Sequence, residues 1–145
     1  MMYTSRYTNP ELTANPDKYS VVRISVGYPR FLKYKLAGTL KALAPVGYHK
    51  LTDKKEFRRR YVEQLETLGV EQIEQMFKEY EQEGKTIVLC CYEDVRKGGE
   101  NWCHRTMLAD WWEYKTGETI EELKDPTAYK LELPSNPFMA IFNSI

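Results

Sequence analysis

The sequence predicts an α/β protein, a three-layer Rossmann-like sandwich around a small, mostly parallel sheet, and three observations carry that expectation. Residues 86–92, Thr-Ile-Val-Leu-Cys-Cys-Tyr, are almost continuously apolar, as a strand buried on both faces of a parallel sheet must be. Apolar side chains at helical spacing flank that strand on both sides. A β-branched segment lies upstream, so strands and helices alternate along the chain.

Residues 1–6 read as a short first strand, followed by a turn-rich stretch over 8–17 punctuated by Asn9-Pro10 and Asn15-Pro16. Residues 19–26, Tyr-Ser-Val-Val-Arg-Ile-Ser-Val, read as the second strand. Gly27-Tyr28-Pro29-Arg30 stops it, because proline cannot donate to a ladder. Residues 31–48 show no clean period; a short helix near 38–43 is expected there, closed by Ala44-Pro45. Thr52 or Asp53 then caps a helix, with Glu56 completing a capping-box pattern after Asp53. Phe57, Tyr61, Leu65 and Leu68 form its apolar stripe, and Gly69 interrupts it. Ile73, Met76, Phe77 and Tyr80 form a second stripe on a helix from about 70 to 82, ended by Gly84. Beyond the apolar strand, a polar loop over 93–101 leads into a helix from about 102 to 115, with Met107, Leu108, Trp111 and Trp112 inward and Gly117 as its cap. Residues 118–123 supply a short edge strand. The whole chain, 1–145, is expected to be one domain, with 124–145 an extended C-terminal wrap carrying Pro126, Pro134 and Pro137.

Composition narrows the function classes. With 145 residues, 42% hydrophobic and 13% aromatic, the chain can build a core without structural staples. Twenty-one basic residues against 21 acidic ones leave no formal net charge, which disfavours a dedicated nucleic-acid binder. No run approaches the ~18 apolar residues of a membrane span, and the N-terminus lacks the apolar core of a secretory signal. Three cysteines, two adjacent, make a poor disulfide framework, so a reducing, cytoplasmic setting is expected.

Two constellations carry chemistry. The first is Leu89-Cys90-Cys91-Tyr92-Glu93 at a strand end, then Trp102-Cys103-His104-Arg105 opening a helix. Ligands of open α/β sheets bind beyond the strands' carboxyl ends, where free helix N–H groups also attract anions. Cys103 in such a place reads as a thiolate nucleophile, with His104 and Glu93 as acid–base groups and Arg105 as a bidentate anion clamp. The bland alternatives are a packed thiol, an oriented core histidine, and an Arg105 that salt-bridges Glu93. Of Cys90 and Cys91, at least one packs as a small core residue. No metal is assigned: zinc would have to draw on Cys91, Cys103, His104 and Glu93, no CxxC or HExxH spacing occurs, and adjacent Cys-His on a helix point about 100° apart. The second constellation gathers Arg23, Ser25 and Arg30 at the second strand's end with Tyr3, Ser5 and Arg6 on the first. If the three strands are parallel neighbours, these groups meet Cys91 at one rim. The run 54–60 reads as a solvated helix face. Tyr28, Phe31 and Tyr34, interleaved with Arg30, Lys33 and Lys35, are the stacking candidates for a nucleic acid.

At these residues the sequence resembles the family designated domain of unknown function 488. The resemblance runs over about 3–123, through Tyr3-Thr4-Ser5, Val22-Arg23-Ile24-Ser25, Gly27-Tyr28-Pro29-Arg30, Leu43-Ala44-Pro45, Cys91-Tyr92-Glu93 and Cys103-His104-Arg105. It is similar to the branch with an Ile-Ser-x-Gly-x-Pro-basic segment; many members carry an Asp-x-Arg pair where Arg23 and Ser25 stand here. The resemblance implies a compact Rossmann-like α/β sandwich and a shared site at Cys91, Glu93, Cys103, His104 and Arg105, in a family spread over bacteria, archaea and phages, and it supplies no activity. Three functions follow as expectations: an enzyme on a nucleotide-like or phosphorylated anionic small molecule, dependent on thiol or histidine; a non-catalytic module binding such a ligand or a protein; and a nucleic-acid-associated protein. The cofactor is left unknown.

Overall fold

The computed structural model describes residues 1–30 and 32–127. Its elements, in chain order, are β1 (Met2–Arg6), α1 (Pro10–Ala14), β2 (Tyr19–Arg23), β3 (Gly38–Thr39), α2 (Lys54–Leu68), α3 (Val70–Lys78), β4 (Thr86–Cys91), α4 (His104–Thr116) and β5 (Glu121–Glu122). The strands form one parallel sheet in the order β3-β2-β4-β1-β5. The expected α/β three-layer class is therefore what the chain adopts, and β1, β4 and β2 are the parallel neighbours that the rim argument required. The apolar run takes the centre: Leu89 of β4 registers with Thr4 of β1 on one side and Val22 of β2 on the other.

The pleat divides β4 between two cores. Ile87 and Leu89 join Val22 and Ile24 under α2, α3 and α4, where Phe57, Tyr61, Leu65, Ile73, Phe77, Leu108 and Trp112 close the layer. Val88 and Cys90 face the other way, against Tyr7, Leu12, Tyr19 and Val21, with Tyr34 and Leu36 packed at the margin. Helix α4 is pinned through its tryptophans. Trp111 donates to Glu66 of α2 at 2.9 Å, and Trp112 meets Phe77 of α3 edge-on at 5.1 Å.

The structure corrects three local expectations. Asn9-Pro10 starts a helix rather than a turn: the Asn9 side chain accepts from Glu11 N at 3.0 Å and Pro10 occupies the first helical position, where its missing N–H costs nothing. The helix expected over 38–43 is instead the two-residue edge strand β3 and a 3-10 turn, Lys41–Leu43. Pairing with β2, through Ala37 N to Val21 O at 2.7 Å and Leu40 N to Arg23 O at 2.9 Å, decides that segment. Helix α3 stops at Lys78, and Gly84 serves the turn into β4 with φ +78°. The C-terminal wrap expected over 124–145 lies mostly outside the described residues; 124–127 run on from β5. Among the described residues, no helix is long and apolar enough to cross a membrane.

Gly38 is a glycine for reasons of space. A Cβ there would run into the ring and hydroxyl of Tyr80, which reaches over the edge strand toward Thr39 O. We expect Gly38→Ala to lower stability by about 1–3 kcal/mol. The urea midpoint measures it, and Tyr80→Ala in the same chain should recover part of the loss; equal additive losses would show that the close approach is not the cause.

Candidate functional site

The sheet order sets where a ligand can enter. From β2 the chain moves outward to β3, whereas from β4 it crosses over β1 to β5 in the opposite direction. Adjacent parallel strands whose connections diverge leave a crevice at their carboxyl ends, the place where open α/β sheets take ligands. A cleft of about 310 Å³ opens there. Ser25, Val26 and Gly27 after β2 form one side, Cys91, Tyr92 and Glu93 the other, with the 45–52 loop, Phe57, Glu100 and the start of α4 around them.

Two sulfurs and an imidazole form the floor. Cys91 ends β4, Cys103 is the N-cap of α4, and the two are joined by a disulfide. The expectation of a disulfide-free chain is thus corrected. The pair lies twelve positions apart in sequence, and no spacing pattern announces it; strand end and helix start are brought together by the fold. His104 is buried, edge-on to Tyr61 at 5.4 Å. Its Nε2 lies 2.6 Å from the carbonyl oxygen of Ile24. A carbonyl only accepts, so Nε2 carries the proton and Nδ1 keeps its lone pair, facing Cys103 Sγ at 3.6 Å. Burial holds the imidazole near 4, well below its ordinary 6.5, with the Ile24 bond opposing that shift and the Arg105 charge adding to it. The 100° divergence expected of neighbouring Cys and His on a helix does not apply here. Cys103 has extended backbone, φ −141° and ψ 149°, and so stands outside the helical period.

The arginines are placed differently from the sulfurs. Arg105 is fully buried and faces inward: it makes a two-pronged pair with Glu122 at 2.7 and 2.9 Å, donates to Glu93 O at 2.7 Å and to Cys91 Sγ at 3.1 Å. The carboxylate that pairs with Arg105 is not that of Glu93, the alternative expected from sequence, but that of Glu122, which also accepts from Thr4 at 2.8 Å. Arg23 donates to the carbonyls of Ser25 and Val26 and lies over the Tyr28 ring. Arg6 pairs with Asp125 at 2.6 Å. Arg30 is exposed. The expected gathering of guanidiniums around a ligand is therefore not what forms: three of the four bind the protein to itself.

Of the residues singled out from sequence, Cys91, Glu93, Cys103, His104 and Ser25 line the cleft. Ser25 Oγ is held by Tyr7 and by Gly27 O. Tyr3 and Ser5 lie away from it: Tyr3 is paired along β1 with Val88 and Glu121, and Ser5 Oγ bonds Asn9 and Arg6 O. Cys90 is the core thiol, its ionisation pushed far up by burial. Among the stacking candidates, Tyr34 is tied to Tyr7 O at 2.6 Å and packs into the second core, Tyr28 is exposed, and Phe31 lies outside the described residues. Sequence reading missed His49 and Lys50 as cleft walls. Only the chain's return over the strand ends places the 45–52 loop there, and no local pattern signals it.

The fold and the crevice define an open, all-parallel α/β protein with its candidate site at the point where strand connections diverge. The chain belongs to the family described as domain of unknown function DUF488, whose model matches residues 21–112. That span runs from β2 to the second tryptophan of α4 and includes every cleft residue. No curated protein and no solved structure matches the chain.

Two outcomes follow from the ion pairs. Replacing Arg105 with Met should cost about 2–4 kcal/mol, since Glu122, the Glu93 carbonyl and Cys91 lose their donor together; chemical denaturation measures it. Asp94 is held at about 2, chiefly by the Arg96 hydrogen bonds at 2.9 Å, against its ordinary 3.8. A carboxylate with a depressed value stabilises the fold fully above 3.8 and loses that contribution as pH falls toward 2. Carboxyl NMR should place the Asp94 midpoint near 2, and Arg96→Gln should move it back up.

Proposed function

We propose that the protein is an enzyme acting on a small molecule held in the crevice between β2 and β4, with the Cys91–Cys103–His104 cluster as the reacting end. One observation carries the reading: two sulfurs and a lone-pair-bearing ring nitrogen converge on the floor of a 310 Å³ cleft at the divergence of two strand connections.

The walls suit a ligand with an anionic group and a flat apolar part, a nucleotide-type or phosphorylated molecule. The first N–H groups of α4 have no side-chain cap, so the positive end of a 13-residue helix faces the cleft. Lys50 adds an exposed cation, and Trp102, Phe57 and Tyr92 supply aromatic surface. Arg105 is committed to Glu122, the Glu93 carbonyl and Cys91, whereas Arg23 gives two of its donors to the Ser25 and Val26 carbonyls at the cleft edge. Glu93 and Glu100 on the same walls are available to accept a proton from a bound substrate.

Amide chemical-shift mapping tests this with AMP, ADP-ribose and inorganic phosphate as probes. At least one should shift residues 25–27, 49–52 and 91–93 as a contiguous set at millimolar concentration. Absence of any such set with all three probes overturns the reading.

A further inference from the structure

We propose that Cys91, Cys103 and His104, in the reduced protein, form a three-ligand site for zinc(II) whose fourth position opens on the crevice. Sγ of Cys91, Sγ of Cys103 and a ring nitrogen of His104 all lie within 4.8 Å of one another. Bonds of about 2.0–2.3 Å in a tetrahedral zinc site separate its ligand atoms by about 3.5–3.8 Å. The Cys103 Sγ to His104 Nδ1 separation, 3.6 Å, is such an edge.

The surroundings are those a metal requires. Nε2 of His104 is fixed on the Ile24 carbonyl, which orients the ring and leaves Nδ1 as the ligating atom. Arg105 donates to Cys91 Sγ at 3.1 Å, an outer bond that steadies a thiolate. The Cα atoms of Cys91 and Cys103 stand 7.5 Å apart, beyond the 4.4–6.8 Å usual for directly bonded cysteines; an ion between the sulfurs fills that span without the backbone closing in. Two thiolates and an imidazole select zinc among the common divalent ions. Among the described residues no fourth ligating side chain joins the group, which leaves one position for water or substrate, the pattern of a catalytic rather than a structural zinc.

Loading proceeds by a balanced exchange. A dithiol reductant gives two electrons and two protons to the disulfide and is itself oxidised to a disulfide; zinc(II) then displaces the protons of the two thiols. The inference deepens the proposed function and rests on it, because it specifies the chemistry of the same crevice as hydrolysis. A zinc ion held by Cys91, Cys103 and His104 would supply an activated water for attack on an electrophilic carbon or phosphorus, with Glu93 on the adjoining cleft wall.

Cobalt(II) as a spectroscopic substitute, added to the full chain after reduction with a phosphine, tests the site. We expect one ion per chain, with tetrahedral d–d bands and thiolate charge transfer, displaced by one equivalent of zinc. The signal should be lost in Cys91→Ser, in Cys103→Ser and in the unreduced protein, and kept in Cys90→Ser; circular dichroism checks each variant for folding. Should the cysteine variants fail to fold, loss in the folded, unreduced protein and charge transfer in Cys90→Ser decide the matter. No stoichiometric binding, or binding that persists in the disulfide form, overturns the proposal. Shift mapping with AMP, ADP-ribose and phosphate on the same samples separates the two readings: a crevice that binds a probe but no metal removes only the zinc site.

Discussion

The rest of the molecule is organised around one buried guanidinium. Arg105 enters the interior in the first turn of α4 and reaches three elements at once: the end of β4 through Cys91 Sγ, the loop beyond it through Glu93 O, and the edge strand β5 through Glu122. A charge without solvent exposure is tolerable only when its donors are matched, and here a two-pronged carboxylate, a carbonyl and a sulfur do so. That arrangement fixes the height of α4 above the sheet. It thereby fixes Cys103 and His104, the residues immediately before it. The buried arginine thus holds in place two of the groups that line the crevice.

Much of the fold was legible because its signals are local. The continuous apolar run of β4 can sit only in a strand covered on both faces, and the spacing of Phe57, Tyr61 and Leu65 can bury only one helix face. What was illegible depends on contacts made at a distance. Gly38 and Thr39 are a strand because β2 offers its edge, and nothing within a two-residue stretch encodes that. Asn9-Pro10 was ambiguous in principle, since the same pair begins a turn or caps a helix, and the Asn9 bond to Glu11 N decides between them.

The candidate site divides along the same line. Cys91, Glu93, Cys103 and His104 were found because a strand end and the following helix start are neighbours by construction in an α/β unit. The arginines misled because charge alone does not say whether its partner is a ligand or the protein. Arg6, Arg23 and Arg105 each find acceptors within the chain, in Asp125, in two carbonyls after β2, and in Glu122. The disulfide was hidden for a further reason: an odd cysteine count argues about frameworks, whereas one pair made by tertiary approach leaves no pattern.

The pleat of β4 also decides which cysteines can meet. Cys90 and Cys91 are adjacent in the chain, yet they point to opposite faces, Cys90 into the second core and Cys91 toward the crevice. Burial keeps the Cys90 thiol protonated, and exchange with a disulfide needs a thiolate in line with the sulfur it attacks. Reshuffling to a Cys90–Cys103 or Cys90–Cys91 bond would require the central strand to leave the sheet. The chain therefore has three possible pairings on paper and a single accessible one, enforced by the geometry of one strand.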